Sequence, residues 1–488
     1  MNLKVPSEVS QVTNTLQKAN FEAYIVGGCV RDLILGRNPR DWDVTTNANP
    51  EQIQALFVKT FYENDYGTVG VVNENVIHET LKVVEVTPFR IEGKYTDHRH
   101  PDSVKFAKKL EDDLKRRDFT MNAIAYDISK GQLIDLYKGQ VDVKDKTIRT
   151  VGEPEDRFRE DALRMIRAIR FSTELGFMIN KETSDAIEKH AALLSQISIE
   201  RISEEFRKIL MSPNPMAGII MLQRYGILKF IIPELEEGLG IEQNSDHIYE
   251  VWEHNLRALN HSADREWPLE VRMASLLHDV GKPKTRLWNK KKDDWTFYGH
   301  DVIGGKMTFK ILSRLKFPSN FIEKVTKLVR YHMFFSDIDK ITLSAVRRIV
   351  RNVGPENVWD LMKVRACDRI GMGRPKETPY RLRKYESMIE EAMRAPVSVG
   401  MLKIDGARIM EITGEEPGPK IGYILHALLE EALDDPDVNT VGYLERRVVE
   451  MVKLRPEELK KIGEAGKEKQ EEAEEKELTE IRKRHQVK

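Results

Sequence analysis

The sequence predicts an α+β protein in which strands are confined to the N-terminal part and helices form the remainder. An apolar, strand-like run occurs early, at Ala23–Val26, and alternating runs with β-branched residues follow at 67–73 and 81–87. Apolar residues at helical spacing open the chain at residues 7–19 and recur in the later segments. Because single cores stop growing well below 488 residues, we expect several domains.

Composition indicates a soluble protein with a core, since hydrophobic residues make up 40% and charged residues 32% of the chain. No apolar run approaches the roughly 20 residues of a membrane span, and the N-terminus lacks a signal-peptide core. Two cysteines, Cys29 and Cys367, predict a reducing compartment, so we expect a cytoplasmic protein without membrane contact. With a net charge of only -1, any RNA site must be a local patch.

The most informative stretch is Ile25-Val-Gly-Gly-Cys-Val-Arg-Asp-Leu-Ile-Leu-Gly36, which is followed at once by Asp41-Trp-Asp43. In a strand, residues two apart share a face, so Asp41 and Asp43 place two carboxylates side by side. Such a pair repels itself unless a cation intervenes, and carboxylates with substrate phosphates are the usual Mg²⁺ ligands. A glycine pair before a helix lets backbone N–H groups approach phosphate. Read separately, the same residues are an ordinary turn and an exposed strand.

This stretch resembles the signature of class II nucleotidyltransferases, the family of bacterial tRNA nucleotidyltransferases and related poly(A) polymerases. Their pattern is Gly-Gly-x-Val-Arg-Asp, a short apolar helix, Gly and Asp-x-Asp, and every fixed position is present. The resemblance implies a DNA polymerase beta-like head with a mixed sheet. It also implies catalytic Mg²⁺ at Asp41 and Asp43, and triphosphate contacts from Gly28 and Arg31.

Two further parts of the head match this family. Leu114–Ala123 carries Arg-Arg-Asp-Phe-Thr-x-Asn-Ala, which by resemblance makes Arg117 a contact of the nucleotide phosphates. The polar segment Phe89–Pro101 resembles the flexible loop that helps the site switch from adding C to adding A. Glu85, within a predicted strand, is either a third carboxylate beside the aspartates or an edge-strand surface residue.

Arg157–Phe171 is predicted to be one helix with an apolar stripe and polar residues every three positions. Asp161 and Arg164, three residues apart, can form one recognition edge. The carboxylate accepts from an exocyclic amine and the guanidinium donates to the adjacent ring nitrogen, which admits C and A and rejects U and G. The alternative is a surface ion pair. The family's nucleobase-selecting motif matches here, with Arg167 and Arg170 holding phosphates or the fold.

Histidines and aspartates dominate the next segment. His254, the doublet His278-Asp279 and Asp368 match the metal-binding set of the HD phosphohydrolase superfamily, with His300 and His332 as further candidates. Imidazole and carboxylate together suit transition metals or Mg²⁺, and a bridging aspartate can hold two ions for phosphate hydrolysis. A second divalent-metal site is therefore expected, either active or serving as a scaffold that faces tRNA.

These patterns predict five segments: a nucleotidyltransferase head at 1–150, a nucleobase-selecting neck at 151–240, an HD domain at 241–375, a helical tRNA-binding tail at 376–454, and a charged segment at 455–488 that is helical or disordered. The resemblance implies addition of the 3′-terminal CCA to tRNA from CTP and ATP, with contacts to the 3′ end and the acceptor/TΨC region. Alternatives left open are A-only or CC-only addition, poly(A) synthesis, a phosphohydrolase acting through the HD set, and a non-catalytic RNA-binding protein. The oligomeric state is left open.

Overall fold

The structure is a computed structural model that describes residues 3–62, 67–74, 76–92, 104–244, 247–334, 341–394 and 398–487. It divides into two compact units. The first comprises 1–332 with 363–375, and the second comprises 333–362 with 376–488. Within the described ranges, no helix has both the length and the apolar character needed to cross a membrane.

The first unit begins with an α/β head built on one seven-stranded sheet. Its strands are β1 (Ala23–Val26), β2 (Asp43–Thr46), β3 (Thr60–Tyr62), β4 (Val69–Val72), β5 (Val83–Pro88), β8 (Ile124–Asp127) and β9 (Gln132–Asp135). Between β5 and β8 in the chain, β6 (Arg90–Glu92) and β7 (Val104–Phe106) pair as a separate two-stranded sheet. The order is β3-β4-β5-β2-β1-β8-β9, with β2 and β5 parallel and the other pairs antiparallel. The sheet is therefore mixed, as predicted.

Short helices flank this sheet, namely α1 (Ser7–Lys18), α2 (Gly28–Ile34), α3 (Pro50–Leu56), α4 (Leu110–Lys115) and α5 (Gly139–Lys144). The helix α1 buries Val9, Val12 and Leu16, the apolar stripe seen in the sequence. Helix α3 begins with a capping box between Asn49 and Gln52 and with Pro50 in its first turn. Strands β1, β2 and β8 are buried along most of their length, whereas β5 alternates between buried and half-buried residues, as its sequence does.

Helices form the rest of the first unit. They are α6 (Pro154–Glu160), α7 (Leu163–Leu175), α8 (Lys181–His190), α9 (Ile199–Met211), α10 (Pro215–Arg224), α11 (Pro233–Glu236), α12 (Val251–Asp264), α13 (Leu269–Leu277), α14 (Lys282–Thr285), α15 (His300–Arg314) and α16 (Ser319–Tyr331). Two-residue strands β10 (Thr147–Ile148) and β11 (Met178–Ile179) pair in parallel, and β12 (Leu287–Asn289) pairs with β13 (Asp294–Thr296) as a hairpin.

The second unit is helical, with α17 (Leu343–Val353), the first part of α18 (Val358–Gly371), α19 (Tyr380–Met393), α20 (Gly406–Thr413), α21 (Pro419–Asp434), α22 (Val441–Met451) and α23 (Pro456–Arg484). The charged segment 455–488 is thus mainly the 29-residue helix α23. It packs closely on α21, because a Cβ at Gly463 or Gly466 would lie 2.6 or 2.3 Å from that helix's backbone.

Two local predictions differ from the structure. The helix expected over Arg157–Phe171 is broken into α6 and α7, because Asp161 adopts extended dihedral angles of φ -139° and ψ 104°. The segment Phe89–Pro101, expected to be a loop, begins with strand β6, and residues 93–101 lie outside the described residues. Periodicity could not reveal the break, since the apolar stripe continues through it.

Candidate functional site

A pocket of about 700 Å³ lies between the head and the first helices that follow it, within the first unit. Its wall carries seven basic side chains and five acidic ones, which makes it a strongly polar pocket suited to an anion held together with cations. The basic residues are Arg31, Arg37, Arg40, Arg117, Arg167, Arg170 and Lys208, and the acidic residues are Asp32, Asp41, Asp43, Asp118 and Glu174.

The carboxylates predicted to bind Mg²⁺ line this pocket. Asp43 is the first residue of β2, and Asp41 is an exposed residue just before the strand, while Trp42 and Val44 are buried in the core. Burial, followed by the neighbouring charge of Asp41, raises the pKa of Asp43 to about 7. Two carboxylates that resist joint ionisation fit a site completed by a cation.

Glu85 lies beside Asp43, because β2 and β5 run parallel with these two residues as register partners. Residues paired in this way project to the same face of a sheet. However, Glu85 does not line the pocket. Among the described residues, the head carboxylates also form no group of three ligand atoms within 4.8 Å. The role of Glu85 as a third metal ligand therefore stays a prediction.

Gly27 brings the glycine turn against the charged wall. It precedes α2 with φ +85°, and a Cβ there would lie 2.9 Å from Arg117 Nη1 and 3.4 Å from Asp43 Oδ2. Glycine alone combines a readily adopted positive φ with the absence of a Cβ that would crowd Arg117. Arg117 is in turn held by the buried carboxylate of Asp113, at 3.3 Å. Gly28, predicted to contact phosphates, lines the same pocket.

Asp118 joins the head to α7. Its Oδ2 accepts hydrogen bonds from Nε and Nη2 of Arg167, at 2.9 and 2.6 Å, and its Oδ1 accepts from Asn122 Nδ2 at 3.2 Å. Burial would raise the pKa of Asp118, but these donors outweigh it and lower the pKa to about 2. Asn122 Oδ1 also accepts from Arg31 Nη1 at 2.8 Å, so one network orients both arginines.

An aromatic ring organises three of the pocket's guanidinium groups. Phe171 lies on the pocket wall, and Arg170, Arg31 and Arg167 sit 4.0, 5.3 and 5.4 Å from its ring centroid. Cation–π attraction offsets part of the repulsion among these cations. Glu205 of α9 adds an ion pair with Arg170 at 2.8 Å.

The predicted recognition pair is not assembled as one edge in this structure. Asp161 lies at the break between α6 and α7, accepts from Leu163 N at 3.0 Å and pairs with Arg201 Nη2 at 2.8 Å. Arg164 is buried and donates to Glu160 Oε2 at 2.7 Å. Neither residue lines the pocket, unlike Arg167 and Arg170 on the same helix.

The six histidines and aspartates predicted for the HD site are far apart in sequence, but the structure brings them together in the first unit. Asp279 Oδ2 lies 3.0 Å from His254 Nε2 and 3.3 Å from His278 Nε2, with Asp368 Oδ1 3.3 Å from His254 Nε2. Asp279 Oδ1 faces the other side, 3.3 Å from His300 Nε2 and 3.7 Å from His332 Nε2. We call these six residues the HD cluster, and Asp279 is shared by its two groups of ligand atoms.

The donor atoms of the HD cluster fit divalent metal ions. The Nδ1 atoms of His278, His300 and His332 lie 2.6–2.8 Å from backbone carbonyl oxygens, so each Nδ1–H donates and Nε2 is left as a ligand atom. Although burial opposes it, the facing carboxylates of Asp279 and Asp368 raise the pKa of His278 to about 10. The cluster thus attracts positive charge. Lys282 Nζ, 2.6 Å from Asp279 Oδ2, supplies one further cation.

Sequence reasoning assigned no role to several residues that build these sites. Asn122 accepts a hydrogen bond from Arg31, and Asp113 forms an ion pair with Arg117. The ring of Phe171 packs against three guanidinium groups, and Lys208 lines the pocket. Asn122 and Asp113 lie in or next to a segment already singled out, so their proximity in sequence was an available signal. Lys208, on the distant helix α9, gave none.

Three family models match consecutive parts of the chain. Residues 23–149 match the poly A polymerase head domain, and residues 176–239 match a probable RNA- and SrmB-binding site of polymerase A. Residues 244–372 match the HD domain. The chain thus contains a nucleotidyltransferase head and an HD domain, two kinds of domain that generally depend on divalent metals.

Curated relatives agree with these models. The chain is 41% identical over 286 residues to a CCA-adding enzyme of Geobacillus thermodenitrificans, covering 57% of the chain and 65% of the relative. A Lactobacillus delbrueckii subsp. bulgaricus CCA-adding enzyme is 32% identical over 438 residues, covering 88% of the chain and 93% of the relative. The first two relatives are thus matched over 65% and 53% of their length, less than two thirds.

A solved structure extends the similarity through nearly the whole chain. The CCA-adding enzyme of Bacillus stearothermophilus in complex with CTP superposes with a TM-score of 0.59 and 28% identity, covering 91% of this chain and 98% of the other. The same family is indicated by the four sequence motifs of the head and neck, by the HD cluster and by the long match to the Lactobacillus relative. The chain belongs to the family of class II CCA-adding enzymes that carry an HD domain.

Proposed function

We propose that this protein is a template-independent tRNA nucleotidyltransferase that completes or repairs the 3′-terminal CCA from CTP and ATP and releases pyrophosphate. One observation carries the proposal: the carboxylates Asp41 and Asp43 share a pocket with a wall of arginines. Carboxylates for cations and guanidinium groups for phosphates are the two requirements of nucleotidyl transfer. The CTP bound to the Bacillus relative supports the same ligand class.

Asp41 and Asp43 are the proposed ligands of Mg²⁺, with Glu85 as the candidate third carboxylate. Bound divalent ions would lower the pKa of the attacking 3′-hydroxyl and neutralise charge on the leaving pyrophosphate. Asp43 fits this role because its burial and the charge of Asp41 disfavour its ionisation, which raises its pKa, and a bound cation would offset both effects.

The remaining polar wall is proposed to hold the triphosphate. Arg31 and Arg117 lie beside the glycine turn, where the Gly28 backbone is open to close approach by phosphate. Asp118 and Glu205 hold Arg167 and Arg170 in ion pairs, so the proposed contribution of these two arginines is positive charge at a fixed place in the pocket wall. Fixed charges of this kind stabilise developing negative charge without reorganising during the reaction.

Asp161 and Arg164 are proposed to select the base. Cytosine and adenine both offer an amine beside an unprotonated ring nitrogen, which one carboxylate and one guanidinium can read. For this, Asp161 must exchange its Arg201 partner for the nucleobase and Arg164 must exchange Glu160. We infer that nucleotide binding rearranges the break between α6 and α7.

tRNA is the proposed partner, through its 3′ end and its acceptor/TΨC region. In this proposal the head at 1–150 and the neck at 151–240 bind the nucleotide. The tail at 376–454 binds the tRNA. The name shared by the curated relatives, CCA-adding enzyme, supports this substrate.

The test is to incubate the protein with tRNA lacking its CCA end, with CTP, ATP or both, and to sequence the 3′ ends. We expect CC from CTP alone and complete CCA from both nucleotides. Addition of A only to tRNA already ending in CC would overturn the proposal in favour of an A-adding enzyme, and addition that stops at CC would indicate a CC-adding one. Long A tails on unrelated RNA would indicate a poly(A) polymerase.

The HD cluster favours a second proposed activity, the metal-dependent hydrolysis of phosphate esters. Two ligand groups that share Asp279 suit a pair of divalent ions, which together activate water and stabilise a phosphate leaving group. His254, His278 and Asp368 would hold one ion, and His300 and His332 the other. Release of inorganic phosphate from a chromogenic phosphate ester with Mg²⁺, Mn²⁺ or Ni²⁺ tests it, and no release with any of them would leave the cluster as a scaffold.

A further inference from the structure

The hairpin of β12 and β13 presents aromatic and basic side chains to solvent. Trp288 and Trp295 are register partners with ring centroids 5.0 Å apart at 78°, an edge-to-face pair. Arg286 stacks 3.7 Å from the Trp295 centroid. Trp295 is therefore partly buried, whereas Trp288 remains 48% exposed and Tyr298, just after β13, 69% exposed. Two large aromatic rings of this hairpin segment are thus open to solvent.

Three consecutive lysines lie beside these rings, and Asp293 and Asp294 follow them in the chain. Lys290, Lys291 and Lys292 are consecutive and exposed in the turn, where Asn289 Oδ1 accepts hydrogen bonds from the backbone N–H groups of Lys291 and Lys292. Lys292 Nζ also donates to the hydroxyl of Tyr298 at 3.2 Å. Exposed rings beside a run of cations match single-stranded nucleic acid, whose bases stack on aromatic faces while its phosphates meet lysines.

The hairpin directly precedes His300 of the HD cluster. It joins α14, which begins with Lys282, to α15, which begins with His300. Phe297, directly after β13, accepts a hydrogen bond from His300 Nδ1 at 2.6 Å, and Lys282 Nζ lies 5.5 Å from its ring centroid. A strand held by the hairpin would therefore lie next to a cluster suited to metal ions and phosphate.

We propose that the β12–β13 hairpin, with Trp288, Tyr298 and Lys290–Lys292, binds single-stranded RNA and holds it beside the HD cluster. The surface is separate from the nucleotide pocket, so this proposal does not depend on nucleotide addition. Trp295 and Arg286 support the exposed Trp288 ring, the rings of Trp288 and Tyr298 stack on bases, and the lysines contact phosphates.

The location is tested by photocrosslinking the full chain to a short single-stranded RNA that carries 4-thiouridine at its 3′ end. We expect crosslinked peptides from 286–298 and quenching of tryptophan fluorescence on binding. Crosslinks that map only to other parts of the chain would overturn the proposal.

Affinity is then measured by fluorescence anisotropy with the same RNA. Trp288→Ala should weaken binding roughly tenfold, the size of one lost stacking contact. Leu287→Ala is the matched control, because Leu287 is 67% exposed on the same hairpin but has no ring, and it should bind like the parent. Equal losses in both variants, or none in Trp288→Ala, would contradict base stacking and leave the hairpin to a different kind of partner.

Charge is tested separately by replacing all three turn lysines with glutamine and repeating the titration over a range of salt concentrations. The logarithmic salt slope should fall by about 2 if all three contact phosphates. Lys306→Gln, at an exposed position on α15, is the control and should leave the slope unchanged. An unchanged slope in the triple variant would remove the lysines from the interface. These readouts measure RNA binding alone, so they stand whether or not the parent adds nucleotides.

Discussion

Asp118 and Arg167 form the ion pair that links the nucleotidyltransferase head to α7, with both Nε and Nη2 of Arg167 donating to Oδ2 of Asp118. The pair lies on the wall of the proposed nucleotide pocket, and the same aspartate accepts a hydrogen bond from Asn122, whose own side-chain oxygen accepts one from Arg31. Two arginines predicted to serve the triphosphate are thus positioned by one carboxylate from the head.

Asp118→Asn should destabilise the protein and reduce nucleotide addition together. Breaking a largely buried ion pair costs about 2 kcal/mol after allowance for the partly exposed Arg167, measured by denaturant unfolding. We also expect a raised KM for CTP and ATP, because Arg167 loses its anchor. An unchanged KM with lowered stability would limit the pair to a structural role.

The stabilising effect of Asp118, measured against the same Asp118→Asn variant, should depend on pH. Because the pKa of Asp118 falls from 3.8 to about 2 on folding, its stabilising effect is present above about pH 4 and is lost as the pH falls through 2. The difference in unfolding free energy between the parent and Asp118→Asn should therefore shrink between these values. A difference that is constant over this range would contradict the lowered pKa.

Gly27→Ala should nearly abolish nucleotide addition. Its φ is +85°, and the added Cβ would meet Arg117 Nη1 at 2.9 Å, displacing a proposed phosphate contact. Gly36→Ala is the matched control, since Gly36 also has a positive φ, +69°, but has nothing within 4 Å of the added atom. It should cost about 1 kcal/mol of stability and retain activity. Comparable loss of activity in both variants would show that backbone strain, not the clash, is responsible.

Asp161→Asn should relax the choice between CTP and UTP by roughly tenfold in the ratio of kcat/KM values, because the amide can also donate to the uracil carbonyl. Asparagine keeps the hydrogen-bond acceptor that caps α7 at Leu163, so folding should be preserved. Arg201→Gln is the control: it breaks the observed ion pair with Asp161 but keeps the carboxylate. Discrimination retained in Asp161→Asn would remove Asp161 from base selection.

Asp279→Asn should release metal from both halves of the HD cluster, because its two oxygens face different groups of histidines. His332→Gln should affect only the half that contains His300. Metal content of the purified proteins, measured by mass spectrometry, should fall further in the first variant. Nucleotide addition should be unchanged in both, since the HD cluster contains no residue of the proposed nucleotide pocket. Equal metal content in parent and variants would exclude the cluster as a metal site.

The sequence by itself determined the mixed-sheet head, the helical remainder and the family, because local patterns such as Gly27–Asp43 and the His278–Asp279 doublet carry their chemistry within a few residues. Trp42 and Val44 are buried as the alternation predicts, since period two is a property of the strand itself.

Tertiary structure alone decided which of these residues act together. The ion pair of Asp161 with Arg201 and the contact of Phe171 with Arg31 each join side chains from separate helices. Likewise, only folding brings His254 and Asp368 within 3.3 Å. Ion pairs and shared ligands depend on distance in space, and no local sequence period encodes the meeting of helices more than 100 residues apart.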